Sequence, residues 1–557
     1  MMLFRKKFGI SVAAFLAMCA IIAQPIMSHA SNSDIDSNSV QAVVKEETGE
    51  NSEVGTFASA NPGVSSDADI DAEMFTRQLT ESGTPVIKIA STTQMLNYIK
   101  NRKSIFGRNL PLVKITAVDN SNLKYFPEIK DQGSLGSCTT WASVYYQMSY
   151  AVNKALNRDG KLEENTFSPT WVYNMVNNGE NIGTYYSDVL AVLSEIGAVS
   201  ATSCPIQVDD RGANIRNLHA TKENFLEASK YKVSEFYNIE LGNRQYDTVV
   251  TNNSDVDLDV IKKALVLGEV LSATTYSDNW NRQTIEANEW VKENNKYLGE
   301  TIITKCDGYV SGSHRVTIVG FNDDIWVDIN QNGCIEKAEK GAFKIANSWG
   351  KNSDNNGFVW MSYDAINKIS AVEDSENVTM TSNMRELGLS DVVGFKVDVN
   401  EEDNDVFLNI DMATDNAGEV AVNIIVKDRT TGEEINNYNP IPFTYSTTFQ
   451  NIGVNAFDGT YNENAEGNFY IDLSNVVEGI TKDNLDNYDF EISISDSYDD
   501  ASCLKVNNVK LYIKSTDTYI DTALNEKVQL NYRALNIKYG SENSASLTDV
   551  YEPEAVG

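Results

Sequence analysis

Apolar residues recur at spacings of three and four over 138–154, where Trp141, Tyr145, Met148 and Val152 share one face. The pattern predicts an amphipathic helix over 138–157, with Ser137 at its N-cap and Cys138 in its first turn. TFSPTWVYNMV (166–176) predicts a second helix, opened by Ser168-Pro169. In NIGTYYSDVLAVLSEIGAV, a loop at Gly183 precedes a helical face of Val189, Leu190, Val192, Leu193 and Ile196. Residues 257–277 read as a helix, a turn at Gly268 and a strand. Two β-branched runs, GSHRVTIVGF and GAFKIANSWG, predict strands that carry His314 and end at Asn347. Residues 205–260 otherwise read as polar and irregular, with His219 as a surface residue. From 387 the period changes to two: VGFKVDV, DVFLNIDM, EVAVNIIVKD, GNFYIDLS, YDFEISISD and VNNVKLYIK alternate between Asn, Asp and Gly punctuation. That is the pattern of an all-β sandwich, and 517–557 add a final strand and a loose tail.

The N-terminal pattern is of another kind. Arg5, Lys6 and Lys7 precede an apolar run over 8–23 and the small-residue site Ser28-His29-Ala30, so 1–30 is expected to be a cleaved signal peptide. Residues 31–110 are read as an acidic, partly disordered propeptide or linker; its later part holds two helical patterns, DAEMFTRQLTES and TTQMLNYIKNRK. A catalytic domain is expected over 111–370, a linker over 371–386 and the β-sandwich over 387–557. No later stretch is apolar enough for a transmembrane anchor, so the chain is expected to be secreted or associated with a cell surface.

Net charge is −34, which repels phosphate and argues against nucleic acid or an anionic membrane as partner. Removal of 1–30 leaves Cys138, Cys204, Cys306, Cys334 and Cys503, an odd number without framework spacing. Cys138 is read as free, and a Cys306–Cys334 bridge is left open.

Candidate chemistry gathers at Cys138. A helix N-terminus favours thiolate over thiol, and the thiolate is the nucleophile. Six positions upstream, Gln132 carries an amide donor, and Gly133 and Gly136 let the loop turn tightly. A nucleophilic thiolate needs a base and a group that orients it. The chain holds three histidines, and of these only His314 lies on a predicted strand.

QGSLGSC…W, SHRVTIVGF and NSWG, in that order, resemble the papain family of cysteine peptidases, over roughly half of the chain. The resemblance implies an α+β fold: a papain-like two-lobed domain, with a helical lobe and a β-barrel-like lobe, followed by the all-β sandwich. It implies that Cys138 is the nucleophile, His314 the general base and acid, and Asn347 the residue that orients the imidazole. Gln132 would complete an oxyanion hole, Trp349 would shield the His–Asn bond, and Gly183 would line the substrate cleft. The implied activity is hydrolysis of peptide bonds in protein or peptide substrates, with no catalytic cofactor. Leu135 stands where the family usually has a disulfide Cys, and Thr139 where Trp usually follows the nucleophile. Cys138 and His314 are 176 positions apart, against roughly 130–150 expected, so insertions intervene. Two other readings remain: a non-hydrolytic cysteine acyl transferase, and a surface adhesin on a peptidase fold. The sandwich could bind a polymer or cell-surface ligand, or serve as a packing module.

One insertion has chemistry of its own. DINQNGCIEKAE (328–339) places Asp328, Asn330 and Asn332 at positions 1, 3 and 5, Gly333 at 6, the Cys334 carbonyl at 7, Glu336 at 9 and Glu339 at 12. This is the spacing of an EF-hand-like calcium loop, here between strands instead of helices. His314 is expected about seven residues from the loop, roughly 23 Å along an extended strand. The ion's expected role is therefore structural.

Overall fold

The computed structural model describes residues 77–79, 85–87 and 115–550, apart from 178, 210–219, 240, 242–254, 307–311, 368–369, 373–387, 400–403, 444–456 and 459–463. The expected signal peptide, His219, nearly all of the expected 371–386 linker and most of 31–110 lie outside the described residues. Within 31–110 the first predicted helix is not formed: β1 (Arg77–Leu79) pairs antiparallel with β2 (Pro85–Ile87). Gly83 and Pro85 stand directly after that pattern, punctuation that favours a chain reversal over a longer helix.

The helix that bears Cys138 runs through three consecutive pieces: Cys138–Thr140, wider π-helical turns over Trp141–Met148, and Ser149–Leu156. It ends at Asn157, whose left-handed φ of 55° closes the last turn. The expected amphipathic pattern does not hold, because every residue from Trp141 to Tyr150 is buried. One side packs Trp141, Tyr145, Tyr146 and Tyr150 against Phe126, Ile129, Val270 and Val319; the other packs Val144, Met148 and Val152 against Trp171, Val172 and Leu193. Inside this helix, Gln147 Nε2 donates across the interface to the carbonyls of Val270 (3.0 Å) and Val393 (2.9 Å), while Gln147 Oε1 and Trp141 Nε1 are buried without a hydrogen-bond partner. Ser137 does sit at the N-cap, but its hydroxyl caps nothing.

Helices Pro169–Val176 and Tyr186–Glu195 form where the periodicity predicts them, as do helix Asp255–Val266 and the turn at Gly268. Helix Lys222–Ala228 lies in the stretch read as irregular. Its start is a reciprocal cap in which Thr221 accepts from Asn224 N and the Asn224 side chain accepts from Thr221 N.

A nine-stranded sheet stands beside the central helix. Its strands are β3 (Ala117–Asp119), β4 (Tyr231–Ile239), β5 (Leu271–Thr275), β6 (Trp280–Thr284), β7 (Thr301–Cys306), β8 (His314–Trp326), β9 (Lys340–Ala346), β10 (Phe358–Ser362) and β11 (Ser390–Val399). The order is β4-β11-β5-β8-β9-β10-β7-β6, with β3 on β8. Thus the boundary expected at 387 is displaced: β11, which reads as the sandwich's first strand, pairs with β4 and β5. Its alternation fits either sheet, and the partner edge decides.

Beyond β11 lie two five-stranded antiparallel sheets. One contains β12 (Val406–Thr414), β15 (Ala465–Asp472), β17 (Leu504–Ile513), β18 (Thr518–Asp521) and β19 (Val528–Leu530). The other contains β13 (Val420–Asp428), β14 (Glu434–Tyr438), β16 (Tyr488–Asp496), β20 (Arg533–Tyr539) and β21 (Ser544–Asp549). Where one final strand and a loose tail were expected, four strands form between Thr518 and Asp549. Inward residues such as Leu408, Ile410, Val422, Ile424, Ile492 and Leu511 share one core. That core also takes in Trp171, Leu193 and Phe225 from the helices, so the sandwich is docked on the helical layer. Phe225 contacts Phe469 and Tyr470, each at a ring separation of 6.3 Å, and Lys232 pairs with buried Asp472 at 2.5 Å. Among the described residues no helix is long and apolar enough to cross a membrane.

Candidate active site

β8 begins at His314 and β9 ends immediately before Asn347, and the two strands pair antiparallel from Thr317↔Ala346 to Trp326↔Lys340. This register brings the histidine and the asparagine to the same end of the hairpin. His314 Nε2 and Asn347 Oδ1 are 2.8 Å apart, and both residues are buried. Asn347 Oδ1 also accepts from Ser348 N at 2.8 Å, which holds the amide in place. The Trp349 ring stacks on His314 with centroids 4.9 Å apart and planes 25° from parallel, and Trp280 backs it at 5.9 Å. Trp349 thus covers one face of the imidazole.

The half-buried Cys138 thiol is near enough to the ring for the two groups to shift each other's pKa. With Nε2 engaged by Asn347, Nδ1 is the nitrogen left for sulfur. Burial pushes the thiol pKa up, but the His314 hydrogen bond and charge, with smaller help from the Arg315 N–H and the Thr139 hydroxyl, bring it below its ordinary value. Burial pushes His314 down, and its bonds to Cys138 and Asn347 raise it above its ordinary value. Both directions favour thiolate beside imidazolium.

Gln132 is clamped from two sides. Its backbone N–H donates to Ser348 O at 2.8 Å and Nε2 to Leu135 O at 2.9 Å, while Oε1 accepts from Ser348 Oγ at 2.5 Å. An amide NH₂ has two donors, so this arrangement sets the plane of the amide and leaves one N–H for another acceptor. Gly133 must be glycine here: φ is +66°, and a Cβ would come within 1.9 Å of the Val208 carbonyl oxygen. Tyr146, from the central helix, donates to Asn347 O at 3.0 Å and so ties the helix to the hairpin.

The 181–184 loop is stitched beside the nucleophile. Gly136 N donates to Asn181 Oδ1 (2.8 Å), Asn181 Nδ2 to Ser134 O (3.1 Å) and Thr139 Oγ1 to Thr184 O (2.9 Å). Gly183 lies exposed on this loop, and a Cβ there would meet open space. The buried hydroxyl of Thr139, one of the family departures, serves the loop contact, and Leu135 is buried. Ser348 and Tyr146 were not assigned roles from sequence. Ser348 lies inside the NSWG motif, whereas nothing local marks Tyr146.

The acidic loop lies at the other end of the hairpin. His314 stands 14 positions before Asp328, not the expected seven, and with β8 extended over 13 residues the loop is roughly 45 Å away along the strand. Gly333 (φ +75°) and Gln331 (φ +60°) make the turn. Asp328 accepts from Asn332 N (3.0 Å) and Gly333 N (2.8 Å), and the Asn330 and Asn332 amides donate to Glu336 Oε1, each at 2.8 Å. Buried Glu339 accepts from Trp326 Nε1 (2.8 Å) and Ile329 N (2.7 Å). Among the described residues no three His, Cys, Asp or Glu side chains converge as a metal cluster, so Asn amides and carbonyls would have to supply part of any cation shell here. Cys306 is buried and Cys334 is exposed, and the two form no disulfide with each other.

No family model matches the chain, and no curated protein does. Solved structures similar in fold include xylellain, a cysteine protease from Xylella fastidiosa: 18% identity, 50% of this chain and 85% of that one, TM-score 0.30. The bromelain protease from Ananas comosus is 13% identical over 52% of this chain and 100% of that one, with TM-score 0.32. Digestive procathepsin L 3 of Tenebrio molitor larval midgut is 12% identical over 59% and 87%, with TM-score 0.31. These structure neighbours are papain-like cysteine proteases, and each spans about half of this chain.

Proposed function

We propose that this chain is a secreted papain-like cysteine peptidase. The observation that carries the reading is the ordered set Cys138, His314 and Asn347: a depressed thiol on one side of a buried imidazole and an amide oxygen 2.8 Å from Nε2 on the other. Cys138 sulfur attacks the scissile carbonyl carbon, and the resulting oxyanion is held by the Cys138 N–H and the Gln132 amide. His314 gives its proton to the departing amine as the C–N bond breaks, leaving a thioester. It then takes a proton from water, which attacks the thioester and releases the acid. Asn347 keeps Nδ1 aimed at sulfur throughout.

The test is hydrolysis of a fluorogenic peptide library by the exported protein beside Cys138→Ala. Cleavage lost in the variant supports the reading. A labelled Cys138, tagged by the E64 inhibitor seen with bromelain, but with no cleavage and with transfer to an added amine, would replace it by acyl transfer.

Calcium at 328–339 belongs to the same proposal. Asp328, Asn330 and Asn332 would supply side-chain oxygens, Cys334 its carbonyl, and Glu336 and Glu339 their carboxylates. The ion would neutralise the loop's charge and fix the hairpin tip, with no part in the chemistry. Backbone donors already gathered on Asp328 and the left-handed Gly333 support the fit; the bonds of Glu339 to Trp326 and Ile329 limit it.

A further inference from the structure

The Asn347 amide holds one atom of the His314 ring, and a bond at one atom does not fix the plane of a ring. The plane is set by what lies flat against it, here the Trp349 indole. An indole keeps such a place only where its own torsions are packed in. Trp349 has a second ring against it, that of Trp280, the first residue of β6 at one edge of the nine-stranded sheet. The two indole centroids are 5.9 Å apart with planes at 47°, an ordinary aromatic contact, and Trp280 is 6% exposed.

A buried indole N–H needs an acceptor, and Trp280 Nε1 donates to Thr275 Oγ1 at 2.9 Å. The turn Ser277–Asn279 brings donor and acceptor together, with Asn279 N donating to Tyr276 O at 3.0 Å. Thr275 is itself fully buried, and in the β5–β8 ladder it is the residue paired with His314. Contacts thus run in a closed circuit: from the imidazole to Trp349, to Trp280, to the Thr275 hydroxyl, and through the ladder back to the histidine backbone. A second tie joins β6 to the segment after Trp349. The Arg282 guanidinium carbon lies 5.3 Å from the Trp280 ring centroid, and Arg282 Nε pairs with Asp354 at 3.0 Å. We propose that Trp280, pinned by Thr275, is a positioning residue for His314. It holds Trp349 flat on the imidazole, so that the ring meets Asn347 with Nε2 and keeps Nδ1 for sulfur. The inference rests on the peptidase reading of Cys138 and His314.

The experiment joins two readouts on the exported protein: turnover of a fluorogenic peptide, and water exchange of the His314 ring N–H protons followed by NMR. The chain has only three histidines, and the His314 signals are assigned by their loss in His314→Ala. Trp280→Ala should lower kcat about 30-fold with KM within about twofold, because a ring turned out of line is lost to the chemistry and not to binding. Its His314 N–H protons should exchange at least about tenfold faster. Trp280→Phe keeps a ring against Trp349 and should stay within about threefold of wild type in both readouts. Thr275→Val keeps the branched shape but removes the acceptor, and should fall between the two. Unchanged kcat in Trp280→Ala, a rise in KM that matches the loss, or slower turnover with unchanged exchange would overturn the proposal, as would equal losses in the Phe and Ala variants. Should Trp280→Ala not fold, Thr275→Val decides: a loss in both readouts supports the pin, and none in either overturns it. Wild type that cleaves no peptide would instead defeat the peptidase reading, and this inference with it.

Discussion

At one end of the β8–β9 hairpin, His314 and Asn347 are buried and a single 2.8 Å bond sets the angle of a ring. At the other end, residues 331–335 are exposed and the Asp328–Glu339 segment is held by many hydrogen bonds, several of them to backbone N–H groups. The strands are the same, but their surroundings differ. In the interior each charge and dipole acts at nearly full strength, so one misplaced amide is costly. At the wet tip water can replace any one bond, and order comes from the number of bonds together. Function is therefore expected to be sensitive at the buried end and stability adjustable at the exposed one.

Asn347→Ala should break the comparison most sharply, with kcat on a fluorogenic peptide falling by about 10²-fold and KM changing little, because the ring loses its orientation. Asp328→Ala at the tip should leave the same turnover within about twofold; a larger loss would mean that the two ends are coupled. Ser348→Ala comes next. It frees the Gln132 amide, and kcat should fall by about tenfold with KM unchanged, a smaller loss than Gln132→Ala, which removes the proposed oxyanion donor. An unchanged kcat would show that Nε2 and the backbone bonds suffice to hold Gln132.

The pH profile sharpens the buried end further. Cys138 is depressed and His314 raised, so kcat/KM should rise below the ordinary thiol pKa and fall only above the ordinary imidazole pKa. A rise that tracks an ordinary thiol would remove the ion pair from the account. The smallest effect belongs to the tip. Calcium at about 100 times its Kd adds about 2.7 kcal/mol, which corresponds to a few degrees in the melting temperature of a chain of this size. EGTA should reverse the gain and Asp328→Ala abolish it, with turnover of the folded protein unaffected. A melting temperature indifferent to calcium would leave the loop a hydrogen-bonded turn.

Short-range chemistry was legible in the chain. Cys138 at a helix start, His314 at the head of a β-branched run, Asn347 at the end of the next run and the glycine at 133 are each read from a window of a dozen residues. So are the helices around Val189 and Val260. Physical necessity within one turn or one strand is local, and local patterns carry it. Other features depended on partners far away in sequence. The central helix is buried all round because a sheet covers one side and the helices that meet the sandwich cover the other. β11 joins the larger sheet because it fills the place between β4 and β5 and pairs with both, although its alternation would have suited the sandwich equally. The hydroxyl of Ser348 reaches Gln132 across 216 positions of chain, and Trp280 meets Trp349 only once the Ser277–Asn279 turn has brought its indole back to Thr275. A residue's own type and neighbours determine which bonds it can make. The dielectric around it and the partner it meets are properties of the assembled fold, and these tune a reactive pair.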